Sequence, residues 1–560
     1  MFLFKIQECK IMNKYFKTTA IRTVKLMVVA SAILTMPTSC KKWLEEKPTS
    51  FYSADNFFKD PNEARMAVLG IYESMSSPTT YGFYMSLVFD IDSDIAQMDG
   101  TGLSNDPRVA AHYAMTPVHI YVAESWKLLY RGIDRANLAI ERIPEMEQYK
   151  NGTDAQKKDL ARLLAEAKFL RGQYYFDLVR LFGDVPMKLK ATAATDDLQL
   201  PRVDRELVYD QVFKDMNEAI QDLPWASEKP VDERISKGAA KGMLARVALY
   251  RGGYSLRSNE QMERPAKYKD YYAITLKETK EIMESGEHVL NPSYEQIFRN
   301  HCKLILEPKE SMYEVALYNL DGGATNSGVI GTWNAPVAAD KNPYGRANSF
   351  YKTTALFQKS YIAGDLRRDV AVATYQMDIN AAKIEFTGAN DSKWAPGKWR
   401  RDWQNTGPKD LNNTDINWTL LRYSDVLLMR AEAENEINEG PNNEAYNAVN
   451  TVRRRGFGKP LNTVDAAVDL PAGLNKGAFL AKLQTERAYE LCFEGLRKSD
   501  LIRWNILGPS LRATQIALKA YRAAYPYVAG TNFVDNKHEL YPIPAGERDL
   551  NPKLSQNPKY

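Results

Sequence analysis

The chain reads as a mostly α-helical protein built from stacked helix pairs, interrupted by one loop-rich insertion. Three observations carry that reading. From Asp159 to Phe182 the residues Leu160, Leu163, Leu164, Ala167, Leu170, Tyr174, Leu178 and Leu181 recur at three- and four-residue steps, the period of one helix face. The same spacing returns late in the chain at Tyr423, Val426, Leu427, Ala431, Glu434 and Ile437. Between these regions, from about residue 291 to 419, it lapses into a stretch rich in Gly, Asn, Asp and aromatic residues.

The elements follow in order. Lys14, Lys17, Arg22 and Lys25 precede an apolar run from Leu26 to Met36, then Thr38, Ser39 and Cys40, which is the layout of a signal peptide. The run is roughly half of the ~20 residues a membrane-spanning helix requires, so a soluble body is expected after it. Cys40, followed by Lys41 and Lys42, fits a lipoprotein processing site with Cys40 as the lipidated first residue, although Pro37 stands where the usual motif has Leu. Met12 is a better placed start than Met1.

Trp126, Leu129, Ile133, Ala136, Ile140 and Ile143 predict a helix running to Pro144, and the Asp159–Phe182 helix is stopped by Gly183 and Pro186. Arg205–Leu223 and Ser236–Arg251 form a further pair, and Tyr268–Glu284 adds a helix. The Tyr423–Ile437 helix ends at Gly440 and Pro441, and Ala445, Val449 and Val452 mark a shorter one ending at Gly456. Such pairs, with small residues at their crossings, resemble tetratricopeptide repeats without a strict 34-residue signature. Stacked pairs bury a shared seam and leave a flank suited to another protein. The expected organisation is a signal peptide at 1–39, a helical region at 40–290, a ligand-binding insertion at 291–419, and a helical region with an extended tail at 420–560.

The insertion carries Trp333, Tyr344, Trp394, Trp399, Trp403 and Trp418, and long irregular segments in compact proteins are usually functional. A second irregular region, Ser76–Pro117, carries Tyr81, Phe83, Tyr84, Asp90, Asp92, Asp94, Asp99 and Asn105. For any single aromatic, packing inside its own domain is the default. One or two projecting from loops would stack on the apolar face of a sugar while Asp, Asn and Arg bond its hydroxyls. Asp90, Asp92 and Asp94 have the opening spacing of a calcium loop, but Ile95 and Thr101 stand where an EF-hand has Gly and a carboxylate, so a polar turn with helix-capping aspartates is expected.

Removing residues 1–39 takes away six of the 74 basic and one of the 70 acidic side chains, leaving 68 against 69. The basic balance is therefore the targeting segment's, and nothing electrostatic favours a nucleic-acid partner. Cys302 and Cys492 make no disulfide framework and read as small buried apolar residues. No nucleophile elbow, zinc-binding helix motif, P-loop or dinucleotide fingerprint is present, and the five histidines are scattered. No catalytic residue, metal or cofactor is assigned.

Several segments resemble the signature blocks of the SusD/RagB family of outer-membrane nutrient-binding lipoproteins. They are Glu166–Arg171 through Phe182–Pro186, Lys237–Tyr250, Leu421–Glu434, Glu486–Arg497 with Asp500–Trp504, and a C-terminus reading Glu539–Glu547, Asn551-Pro552 and Gln556–Pro558. The blocks span the mature chain in order. Read from their chemistry, Arg422, Asp425, Glu432, Glu486, Arg487, Glu494, Arg497 and Asp500 lie on or beside apolar helix faces, where paired charges tie helices together.

The resemblance implies a cell-surface, lipid-anchored outer-membrane protein that captures a polysaccharide or oligosaccharide without cleaving it. It also implies a lid role on a SusC-like TonB-dependent transporter. A helical glycoside hydrolase and a repeat scaffold without a small-molecule ligand are the alternatives. In that family variable loops build the ligand site, so the expected ligand residues, Trp333, Tyr344, Tyr81, Tyr84, Asp99 and Asn105, rest on irregular context and residue type alone.

Overall fold

Helices stack in an array whose order in space is continuous although its order in sequence is not. The structure is a computed structural model that describes residues 57–318, 327–406 and 410–560, and Phe58–Tyr560 form one compact unit. The signal segment and Cys40 lie outside the described residues. Helices Pro61–Ser76, Ile120–Arg142, Asp154–Phe182, Arg205–Asp222, Lys237–Arg251 and Tyr268–Ser285 pack each against the next, and Tyr268–Ser285 then packs on Tyr423–Ile437, which contacts Asn443–Gly456 and Lys476–Leu491. The mostly helical, paired architecture is as the sequence predicts. Among the described residues no helix is long and apolar enough to cross a membrane.

Boundaries differ from the periodicity for identifiable reasons. The long helix begins at Asp154 because Thr153 and Gln156 form a reciprocal capping box ahead of the first apolar residue. Helix Pro61–Ser76, which the apolar spacing did not disclose, starts at Asp60, whose carboxylate accepts from the amides of Asn62 and Glu63. Close crossings use small residues: a Cβ on Gly132 would sit 2.5 Å from the Tyr174 ring, and one on Gly242 would sit 2.4 Å from Leu421.

The insertion leaves and re-enters the array through one antiparallel pair. Ser311–Val315 and Trp418–Arg422 are buried throughout and pair Trp418 with Val315 and Arg422 with Ser311, with an irregularity around Leu421. The segment is less irregular than its composition implies, since it opens with helix Tyr294–Cys302 and holds short helices at Ala355–Ser360 and Arg367–Ala371. A second ladder joins the two irregular regions: Ala96, Gln97 and Met98 pair with Thr353, Lys352 and Tyr351, and the Asp99 amide donates to the Phe350 carbonyl at 2.8 Å.

The signature charges sit at the centre of the helical body and bond one another. Arg422 reaches Glu310 and Glu490 at 2.9 Å and Glu494 at 2.8 Å; Arg455 joins Glu310 and Glu490; Arg367 joins Asp365, Glu486 and Glu490. Beside them, Asp425 accepts from Arg246 and Arg487 at 2.6 Å, and Asp500 is shared by Arg487 and Arg503. Burial alone would raise the Asp425 carboxyl, but the two guanidiniums outweigh it and hold it at about 2. Cys302 and Cys492 are buried and free, as read from sequence. The C-terminal tail lies against the body: the Tyr541 amide donates to Leu181, and Asn557 bridges the carbonyls of Phe182 and Tyr541.

Candidate ligand-binding surface

The aspartate-rich turn before the first ladder fixes the frame of the surface. Asp90 accepts from the amides of Lys498 and Ser499 and so caps helix Arg497–Arg503 from a distant part of the chain. Asp92 accepts from the Met98 amide at 2.8 Å and faces His112 Nδ1 at 2.7 Å, while Asp94 holds Arg497 in a two-pronged pair at 2.6 and 2.8 Å. All three carboxylates are thereby engaged with protein groups, and the calcium-like spacing belongs to a structural turn.

On this frame the two irregular regions bring four half-buried rings together. Phe83 and Tyr84 enter a single turn of π-helix, Tyr84–Val88, closed by the Phe89 amide on the Tyr84 carbonyl. Trp333 sits on a tight turn in which its own amide and that of Thr332 both donate to the Val329 carbonyl. Its carbonyl accepts from Tyr351, placing Trp333 beside Phe350 at the start of the second ladder. The Trp333 ring meets Phe83 and Phe350 edge-on, each with centroids 4.4 Å apart, and Phe83 meets Tyr84 at 5.5 Å. Tyr84 stacks on the buried Tyr121, centroids 3.7 Å apart.

Below the rings, His119 Nδ1 accepts from the Tyr121 amide at 3.2 Å and its ring meets Tyr121 edge-on. Burial lowers the His119 pKa, so a neutral imidazole with its proton on Nε2 supports the stack. Burial likewise raises the Tyr84 and Tyr121 hydroxyls, which stay protonated and available as donors at neutral pH. An arrangement of partly exposed rings on pinned loops offers flat apolar faces with polar groups at the edge.

The six residues singled out from sequence fare differently. Trp333 and Tyr84 meet in this cluster through Phe83. Asp99 lies at its edge, bonded by Arg108 through both its carboxylate and its carbonyl. Asn105 is exposed and caps the short helix Asp106–Ala111. Tyr344 is half-buried at the tip of the 338–347 excursion that links Trp333 to Phe350, apart from the ring cluster. Tyr81 is withdrawn from the surface: it is 3 % exposed, its hydroxyl donates to Asp177 at 2.7 Å, and it packs in the core. Of the remaining insertion tryptophans, Trp399, Trp403 and Trp418 are buried, and Trp394 is packed against a core cluster. Phe83, Phe350 and Tyr121 also stand in this cluster, and no periodic signal marks a ring whose partner lies in another element, as for Phe83 and Trp333, 250 residues apart.

Comparison with known proteins fixes the family. Residues 331–560 match the SusD family, and residues 42–249 match a family described as "Starch-binding associating with outer membrane". The chain is similar to a SusD homolog of known structure from Bacteroides thetaiotaomicron, with 33 % identity, 90 % of this chain and 98 % of that one covered, and a TM-score of 0.84. It is 26 % identical to SusD-like protein P25 of Formosa agariphila over 93 % of this chain and 95 % of that protein. The chain therefore belongs to the SusD/RagB family. It also shares the fold of surface glycan-binding protein A from Bacteroides thetaiotaomicron, solved in complex with laminarihexaose, at 19 % identity, 89 % and 99 % coverage and a TM-score of 0.67.

Proposed function

We propose that this protein is a glycan-binding lipoprotein of the outer-membrane surface, exported through residues 1–39 and anchored by lipid at Cys40. It captures a polysaccharide or oligosaccharide and passes it to a SusC-like TonB-dependent transporter, over which it acts as a lid. The observation that carries the reading is the half-buried cluster of Phe83, Tyr84, Trp333 and Phe350, held by loops that ladders tie to a rigid helical body. Trp333 and Tyr84 stack on sugar rings, with Asp99, Asn105 and Tyr344 as flanking contacts. Support for a glycan comes from family membership and from a relative of the same fold solved with laminarihexaose. Support for the membrane location comes from the family description and the signal layout. The helical region at 40–290 supplies the stacked flank for the transporter, and 291–419 shares the ligand surface with the loops of residues 76–117.

The test is affinity electrophoresis of the chain from Lys41 to Tyr560 in a panel of neutral and acidic polysaccharides, with product analysis on the same mixtures. Retardation by one glycan without new reducing ends is the expected result. Cleavage would replace the reading with a glycoside hydrolase, and absence of retardation across the panel would remove the glycan. The transporter partnership is tested separately, by co-purification of the lipidated chain with a TonB-dependent barrel from the native membrane.

A further inference from the structure

A second, smaller cleft lies where the end of helix Asp154–Phe182, the start of helix Arg205–Asp222, the chain around Tyr254 and the C-terminal segment at Glu539 converge. Its cavity volume is about 40 Å³. Arg205 lines it and is 3 % exposed. None of the five guanidinium N–H groups of Arg205 has a hydrogen-bond acceptor among the described residues; the nearest carboxylate oxygen, Asp184 Oδ1, stands 3.6 Å from Nε, and Nε itself is enclosed without a partner. The guanidinium lies over Gly183, where a Cβ would come within 2.3 Å of Nη2, and Gly183 takes a φ of +75°, so the backbone leaves the space this side chain fills.

Three tyrosines with unbonded hydroxyls line the same cleft. Tyr209 and Tyr250 are buried and Tyr254 half-buried, all three line the cleft, and none of their hydroxyls bonds another described residue. Arg180 and Ser499 also line it, bonded to each other at 3.2 Å. Glu539 is the one carboxylate in the lining, and its oxygens are taken by the amides of Asn536 and Lys537. Arg503 is engaged by Asp500 and Glu432.

A buried polar atom such as the Arg205 Nε is ordinarily satisfied, the remaining guanidinium N–H groups and the three hydroxyls are unbonded, and a guanidinium can only donate. An occupant suited to these groups offers several acceptors in a small volume, with negative charge to complement a guanidinium whose ion pair with Asp184 is long, at 3.6 Å, and makes no hydrogen bond. From the convergence of the unbonded Arg205 guanidinium with the Tyr209, Tyr250 and Tyr254 hydroxyls, we propose that this cleft is a binding site for a small oxyanion of the phosphate, sulfate or carboxylate class. Arg205 takes two of its oxygens side by side, the geometry for which guanidinium is suited, and the tyrosines donate to the rest. The site is separate from the aromatic surface and holds together the Phe182–Pro186 segment, the start of helix Arg205–Asp222 and the C-terminal segment.

The experiment is isothermal titration of the Lys41–Tyr560 chain with inorganic phosphate, with sulfate and with glucuronate, against chloride of matched ionic strength. Saturable binding of one equivalent is expected, weakened at least ten-fold in Arg205→Gln and about three-fold or more in Tyr250→Phe, which keeps the ring and removes only the hydroxyl. Crystals soaked in selenate should place an anomalous peak against Arg205. Preference for phosphate or sulfate identifies a free inorganic ion, and preference for glucuronate identifies a carboxylated sugar. Should none of the three bind saturably, or should both variants bind as wild type does, the cleft holds water and the proposal fails. Tyr250→Phe carries the test if Arg205→Gln does not fold.

Discussion

The buried charge network and the aromatic surface divide the labour of this molecule in opposite ways. Around Arg422, Arg455, Glu310 and Glu490 each charge is enclosed and bonded to several partners, so nothing is left to offer a ligand. At Phe83, Tyr84, Trp333 and Phe350 the rings touch one another edge-on and keep part of their faces open. Arg422 and Glu490 lie in the signature blocks of the family resemblance, with Arg455 and Glu310 joined to them, whereas the four rings lie in loops outside those blocks. Strongly patterned, charged segments in this fold mark the frame, while the recognition chemistry sits on the loops the frame holds in place.

The comparison breaks most sharply if the network is cut. Arg422→Ala should cost about 3–5 kcal/mol in urea denaturation, because Glu490 and Glu494 are left buried with fewer partners. Glycan affinity per folded molecule should be unchanged; a large affinity loss in protein that still folds would mean that frame and surface are not separable. Acid probes the same network. The Asp425 carboxyl lies at about 2 in the folded protein against 3.8 unperturbed, so its contribution is present in full above pH ~4 and is lost as pH falls toward 2. That single group accounts for about 2 kcal/mol, read as a falling thermal midpoint below pH 4. Tyr81→Phe tests the withdrawn ring: loss of its bond to Asp177 should cost ~1–3 kcal/mol of stability and leave affinity unaltered.

Trp333→Ala sharpens the comparison from the other side. Affinity for the retained glycan should fall at least ten-fold, about 1.4 kcal/mol, with a stability cost below that of Arg422→Ala. Equal affinity in the variant would take the aromatic cluster out of the reading.

How much of this was legible in the sequence follows from the range of the interactions. Helix Asp154–Phe182 and helix Tyr423–Ile437 were readable because an apolar stripe repeats within the element itself. The scaffold role of Arg422 and Glu494 was readable from charges set among apolar residues, although their partners were not. Residue type in irregular context singled out Trp333, Tyr84 and Tyr81 alike, and the fold sets Trp333 and Tyr84 in the ring cluster and Tyr81 in the core. What separates them is a contact 96 residues away, the carboxylate of Asp177, which no local pattern encodes. Phe350 became part of the surface only through pairing with the strand at Ala96–Met98, more than two hundred residues earlier.

The smallest expected effect concerns the turn at Asp90, Asp92 and Asp94, which by spacing alone resembles a metal loop yet belongs with the frame. Asp90 caps a helix, Asp92 is occupied by His112 and the Met98 amide, and Asp94 pairs with Arg497, so a calcium ion could bind there only by displacing contacts already made. Breaking the Asp94–Arg497 pair would free a partly buried guanidinium, and losing the Asp90 cap would leave two amides of helix Arg497–Arg503 unbonded. Chelation with EDTA and addition of millimolar calcium should therefore each move the thermal midpoint by less than about 1 °C, the shift a bound ion at ten times its Kd would produce in a chain of this size. A larger calcium-dependent rise, abolished in Asp94→Asn, would reassign the turn from the frame to a metal site, and glycan affinity measured with and without the ion would then show whether it reaches the adjoining surface through the Met98–Tyr351 pairing.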